Sequence, residues 1–248
     1  MTIQTMDINI DVGEGVGNES KLMPYVSSCN IACGGHAGSS QTMRKVVRLA
    51  KKHNVKIGAH PSFPDKENFG RKPMDMACVA LFNSLKEQIY SLKTILEEEN
   101  VLLHHIKPHG ALYNMAASNI KTATVIIEVV KSIAQPVKLY VPYKSVIEDL
   151  AIQNNIPITY EAFADRNYNN DLTLVSRSEN NALIHDADEM FEHVYRMMKL
   201  QKVKTIQGLE VSIKAETFCI HGDNLHAENL LKKLLLKLES KAIKILRN

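Results

Sequence analysis

Residues 7–17 read DINIDVGEGVG. Asp7, Asn9 and Asp11 alternate with Ile8, Ile10 and Val12, the period-two signature of a β-strand with one polar and one apolar face. Such a strand either lies at a sheet edge with its polar face wet, ending in a glycine turn, or carries Asp11 and Glu14 into the mouth of a closed barrel as a base, a metal ligand or both. Inward polar residues at the C-terminal ends of barrel strands are usually catalytic, which favours the second reading.

The rest of the chain repeats the arrangement. Apolar segments with strand character recur at residues 6–12, 30–33, 55–59, 102–107, 137–141, 158–161 and 217–220. Between most of them lie helical patterns. Ser39 or Ser40 caps a helix striped by Met43, Val46, Val47 and Ala50 and stopped at Asn54; Asp75 caps a longer one through Val79, Phe82, Leu85, Ile89, Leu92 and Leu96. Further helical patterns cover 120–133, 143–153, 186–199 and 225–238, with Asp186 and Glu189 spaced as a carboxylate variant of the capping box. Strand and helix thus alternate about seven times, which argues an α/β protein with a mostly parallel sheet.

A TIM-like (β/α) barrel accounts for the placement of the polar clusters better than an open sheet does. They fall directly after strands: Asp11 with Glu14, His36, His60, Lys107 with His109, Asp165 with Arg166, and His221 with Asp223. In a barrel those loops converge on one mouth. In an open sheet only those near a switch point would meet. No composition break, Gly/Ser linker or internal repeat divides the chain, so a single domain over residues 1–248 is expected.

Among the 248 residues, 30 Lys+Arg are set against 27 Asp+Glu, and 45% are hydrophobic. The scattered, nearly balanced charge argues against a nucleic-acid or anionic-membrane partner. No window approaches the roughly 20 apolar residues of a membrane span. MTIQTMDINI lacks the basic and apolar regions of a signal peptide, so a cytoplasmic protein is expected. Cys29, Cys33, Cys78 and Cys219 form no CxxC pair and are expected to be free thiols.

The motifs carry distinct chemistry. Gly13, Gly15 and Gly17 match neither a Walker loop nor GxGxxG. In NIACGGHAG (30–38), small residues around His36 permit close approach of a ligand, and the run leads to a helix N-terminus suited to a carboxylate or phosphate. In GAHPS (58–62), a Pro that cannot continue the ladder leaves His60 at the rim. NFGR (68–71) brings Arg71, whose paired donors would clamp a carboxylate. In IKPHGALYN (106–114), Lys107 shares a strand face with His105, and Pro108 fixes the turn that delivers His109. Burial would lower the Lys107 pKa and suit it to proton transfer; retained charge would let it stabilise an oxyanion. FADRNY (163–168) supplies Asp165 and Arg166, which form a plain salt bridge unless they share the mouth. IHGDN (220–224) supplies His221 and Asp223, the latter equally suited to capping a helix.

In order, DINIDVGEGVG, NIACGGHAG, IGAHPSFPD, FGRKPM, IKPHGALYN, FADRNY and IHGDN resemble the motif set of the LamB/YcsF family, over nearly the whole chain. That family includes one of the subunits of the prokaryotic ATP-dependent 5-oxoprolinase. The resemblance implies a distorted, seven-stranded barrel similar in fold to the barrel deacetylases. It further implies that the chain acts with two partner subunits to open the lactam of 5-oxo-L-proline to L-glutamate while ATP, with Mg2+, is hydrolysed. Phosphorylating the amide oxygen would activate a poorly electrophilic carbonyl. Such a path needs a cation, a base and a carboxylate clamp, for which Lys107, then Asp11 or Asp165, then Arg71 or Arg166 are the expected residues. Glu14, Asn30, His36, His221 and Asp223 complete the expected substrate-binding set.

Two other functions fit the same residues. One is an ATP-independent, metal-dependent amidase or deacetylase in which Asp11, His60 and His109 hold a divalent metal, as in the related barrel enzymes. The other is a non-catalytic substrate-binding subunit. The chain departs from the family pattern at Gly35, where members carry Phe, and at Ser39, where they carry an acidic residue. Loss of the Phe is expected to enlarge or loosen the pocket wall beside His36.

Overall fold

The structure is a computed structural model that describes residues 4–222 and 227–247. In chain order the elements are β1 Gln4–Val12, α1 Glu19–Leu22, β2 Ser28–Ala32, α2 Ser40–Lys52, β3 Lys56–His60, α3 Cys78–Glu98, β4 His105–Ile106, α4 Gly110–Ser118 and α5 Ile120–Lys131. They continue with β5 Lys138–Pro142, α6 Val146–Gln153, β6 Ile158–Phe163, α7 Ala187–Leu200, β7 Lys202–Lys204, β8 Glu210–Ser212, β9 Thr217–Ile220, α8 Ala227–Ser240 and β10 Ile243–Ile245.

Seven parallel strands close on themselves in the order β1-β2-β3-β4-β5-β6-β9 and back to β1. This is the expected TIM-like barrel with seven strands. β10 pairs with the N-terminal part of β1, and β7 and β8 form a separate antiparallel hairpin. Because β1 lies between β2 and β9, the edge-strand reading of its polar face is excluded.

The register decides what fills the barrel. Asp11 lies opposite Asn30, Asn30 opposite Gly58, Gly58 opposite His105, and Phe163 opposite Cys219. Residues paired in this way share a face, and here that face is the interior. Barrel interiors of this class are normally packed with branched aliphatic side chains; this one is filled by a hydrogen-bonded polar column. Asn9 donates to Thr217, Asn30 donates to Asn9 and Asp11, and His105 Nε2 bonds the side-chain oxygen Oδ1 of Asn30 while the ring stacks on Tyr140. Gly58 makes room for it, since a Cβ there would lie 2.2 Å from His105 Nε2.

The apolar residues of the same strands, among them Ile8, Ile10, Ile31, Ile57, Leu139 and Phe218, point outward and pack under the helices. Burial of each such side chain is worth about 1.5–3 kcal/mol. The helices begin where short polar side chains meet their first N–H groups. Ser39 accepts from Thr42 N, Asn119 from Thr122 N, Asp186 from Asp188 N and Glu189 N, and Ser145 forms a capping box with Glu148. Asp75 is not the cap of α3, which starts at Cys78 after Ala77; Asp75 stays on the surface and pairs with Lys121. The helix expected from residue 143 begins at Val146, and α4 was not anticipated. No helix among the described residues is long and apolar enough to cross a membrane.

Candidate active site

A cavity of about 250 Å³ opens at the C-terminal ends of the barrel strands. Of the residues singled out in the sequence, Asp11, His60, Arg71, Lys107, His109, Arg166 and His221 line it.

Lys107 lies at its floor, 2% exposed. Its ammonium is 3.0 Å from Asp11 Oδ1, 3.0 Å from Glu161 Oε1 and 2.9 Å from Cys219 Sγ. Burial opposes the charge, but Asp11, Cys219 and Glu161 outweigh it and hold the Lys107 pKa well above its usual range. The side chain is therefore a fixed cation, and the proton-transfer expectation gives way to the electrostatic one. The Cys219 thiol is pushed up by burial and stays neutral, so it is a weaker partner of the ammonium than the two carboxylates. Burial would likewise raise Asp11, yet His60 and Lys107 keep its carboxylate well below the ordinary value, which makes it a counterion and a weak base.

One wall is built from histidines. His60 Nδ1 is 2.7 Å from the Lys107 carbonyl oxygen and His109 Nε2 is 2.9 Å from that of Phe69. A carbonyl only accepts, so each ring donates there and its other nitrogen carries a lone pair in the neutral form. Those two nitrogens, His60 Nε2 and His109 Nδ1, are 2.9 Å apart. Glu14 Oε1 is 2.9 Å from His36 Nε2, 3.5 Å from His109 Nδ1 and 4.0 Å from His60 Nε2. His36 stacks on His109 with ring centroids 3.6 Å apart, and its Nδ1 is buried without a hydrogen-bond partner. Burial pushes His36 down to about 4; burial and the neighbouring His60 and His36 push His109 well below the ordinary imidazole range. One atom from each of Glu14, His36, His60 and His109 lies within 4.8 Å of the others. The expected Asp11, His60 and His109 set shares its two histidines with this cluster; Asp11 Oδ1 is engaged by Lys107 and Asn30, and Asp11 Oδ2 lies 3.4 Å from His60 Nε2.

Across the cavity, His221 Nδ1 is 2.9 Å from Asp165 Oδ1, and the His221 backbone N–H donates to Oδ2 at 2.9 Å. Burial would raise the Asp165 pKa, but His221 and Arg166 bring it below the usual value. With Nδ1–H held by a carboxylate, the other ring nitrogen, Nε2, is the acceptor of a His–Asp dyad. Asp165 thus stands behind the pocket, with both carboxylate oxygens on His221.

Other expectations are revised by position. Asn30 is fully buried in the polar column beneath Asp11 and does not line the cavity. Arg166 spends its guanidinium on the Ala182 and Val175 carbonyls, fixing the loop that covers the pocket. Burial, with Arg177 and Arg71 nearby, pushes it down to about 10, still cationic at neutral pH. Asp223 lies outside the described residues. Gly35 does not loosen the wall: a Cβ there would lie 2.3 Å from Ser62 Oγ and 2.4 Å from Gln88 Oε1, so Gln88 and Ser62 already occupy that space. The sequence reading missed Glu161, Arg177, Tyr113 and Cys219. Only Glu161 carried a local signal, a carboxylate among the residues of a strand.

The LamB/YcsF family model matches residues 6–247. The chain is 40% identical over 243 residues to the A subunit of 5-oxoprolinase from Haemophilus influenzae (strain PittEE), covering 98% of this chain and 99% of that protein. It is 39% identical over 249 residues to the A subunit of 5-oxoprolinase from Bacillus cereus (strain B4264), covering 98% of each. The crystal structure of the lactam utilization protein from Thermus thermophilus superposes with a TM-score of 0.91 at 35% identity, covering 99% of this chain and 100% of that one.

Proposed function

The chain belongs to the LamB/YcsF family, and from that premise we propose that it is the lactam-opening subunit of an ATP-dependent 5-oxoprolinase that works with two partner subunits. The observation that carries this reading is the pairing, in one small cavity, of a fixed cation with an oriented imidazole: Lys107 at the floor and His221 on the wall. At about 250 Å³ the cavity is below the roughly 300–1,000 Å³ of drug-sized sites and suits one molecule of amino-acid size.

The roles follow from the geometry. Transfer of the γ-phosphoryl group of Mg-ATP to the lactam oxygen turns that oxygen into part of a leaving group and makes the ring carbon electrophilic. Lys107 stabilises the charge on that oxygen, and Arg71 binds the substrate carboxylate. His221 takes the proton of the attacking water and returns it to the ring nitrogen as the C–N bond breaks. The resulting acyl phosphate consumes a second water, leaving glutamate and phosphate. Asp11 and Glu161 keep Lys107 in place and charged.

The test is omission. Adding this chain to its partner subunits, ATP and 5-oxo-L-proline should start glutamate release, and a mixture that releases glutamate as fast without it would refute the reading. A second reading, a metal-dependent amidase with no use for ATP, is favoured by the cluster of Glu14 and three histidines. Turnover of a lactam without ATP would single it out.

A further inference from the structure

Glu14, His36, His60 and His109 take no part in the lactam chemistry assigned to Lys107, Arg71 and His221. We infer that these four side chains bind a divalent transition-metal ion in the pocket wall, with zinc the best match to the ligand type.

The first argument is the pairing of acceptors. Around His60 Nε2 stand His109 Nδ1 at 2.9 Å, Asp11 Oδ2 at 3.4 Å and Glu14 Oε1 at 4.0 Å. Two neutral imidazoles held in this way would meet lone pair to lone pair, which a shared proton or a metal ion between them relieves. The Lys107 and Phe69 carbonyls fix both ring orientations from behind, the arrangement that presents imidazole ligands to a metal.

The second is distance. Metal–nitrogen bonds of about 2.0–2.1 Å place the ligand atoms of a tetrahedral site about 3.3 Å apart. Four of the six separations within the cluster are 2.9, 2.9, 3.5 and 4.0 Å, and all lie within 4.8 Å. The third is donor chemistry: three imidazoles and one carboxylate suit zinc and its neighbours, whereas magnesium and calcium favour all-oxygen shells.

The backbone around the cluster is closely fitted. Gly70, at φ +62°, would bring a Cβ to 3.1 Å from both His109 Cδ2 and His36 Cβ, and Gly110, at φ +54°, would bring one to 2.6 Å from the Gly70 carbonyl oxygen. His60 and His109 also line the cavity, so the ion would sit beside Lys107 rather than at a remote surface.

Calorimetric titration with zinc of tag-free protein, stripped by a chelator, tests the inference, together with elemental analysis of the protein as isolated. The expected result is about one zinc per chain, with affinity falling more than about tenfold in Glu14→Gln and in His109→Gln. Cobalt in place of zinc should give the visible absorption of a four-coordinate site, weakened in both variants, whose folding is checked by circular dichroism. Lack of binding by the folded wild-type protein, or binding indifferent to both substitutions, overturns the inference and leaves the histidine pair sharing a proton. The readouts need neither substrate nor ATP, so they stand or fall separately from the oxoprolinase reading.

Discussion

His60 Nε2 and His109 Nδ1 face each other across 2.9 Å, because the second nitrogen of each ring is held by a backbone carbonyl. A ligand that binds only the folded arrangement must stabilise it by mass action. Zinc at a free concentration of 100 times its dissociation constant should raise the stability of chelator-stripped protein by about 2.7 kcal/mol. Thermal denaturation with and without zinc measures this. At the same zinc concentration the rise should drop to about 1.4 kcal/mol or less in Glu14→Gln; an equal rise in that variant would place the ion elsewhere.

The buried pair of Asp11 and Lys107 contributes to the pH dependence of stability. The Asp11 pKa is lower in the folded chain, so its contribution is complete above the unfolded value of about 3.9 and fades as pH falls toward the folded value. Asp165 acts in the same direction. The Lys107 pKa is higher in the folded chain, so its contribution is complete below about 10.4 and is lost only as pH rises through the folded value. The buried His36 and His109, whose pKa values are depressed in the folded chain, add a loss that begins as pH falls through the unfolded imidazole value of about 6.5. Urea denaturation should therefore show stability declining below about pH 6.5, with the carboxylates adding an acid limb below about pH 4. Asp11→Asn should cost about 3–5 kcal/mol at neutral pH and flatten that limb. A cost below about 1 kcal/mol, the scale of a surface pair, would mean the group does not hold the mouth together.

Gly35 is held small by Gln88, whose amide accepts from Ser62 N and donates to the Ser62 carbonyl. Gly35→Ala should cost about 1–3 kcal/mol through overpacking. In a Gln88→Ala background the cost should fall, giving a coupling energy of at least about 0.5 kcal/mol. Additive costs in the two backgrounds would show that Gln88 is not the obstruction.

Arg71 lies at the cavity with its guanidinium 4.8 Å from the centroid of the Phe69 ring. If it binds the substrate carboxylate, Arg71→Gln removes a charge-assisted bond worth about 1.5–3 kcal/mol, so KM should rise about 10–100-fold with a smaller change in kcat. A fall in kcat at constant KM would instead assign Arg71 to the transition state.

The barrel was legible because its strands are short, bounded and regularly spaced, and because DINIDV states its own alternation. Polar clusters after successive strands pointed to the mouth, and Asp11, His60, Lys107, His109 and His221 all line it. What the sequence did not disclose was which of them touch. Lys107 meets Cys219 112 positions away and Asp165 meets His221 56 positions away, distances that no local pattern encodes. Asn30 and Asp165 were misplaced by one layer for the same reason: strand alternation gives the face of a residue but not its depth along the barrel. Gly110 opens α4 at positive φ inside the motif read for chemistry, which hid the helix.

The most direct test of the central claim is glutamate formation from 5-oxo-L-proline and ATP by the assembled enzyme, wild type beside His221→Gln. The variant keeps a polar side chain next to Asp165 but cannot carry the proton. Its rate should fall about 10²–10⁴-fold, with the protein folded and the partner subunits bound. A rate within a few-fold of wild type would contradict the assignment of the lactam-opening step to this pocket.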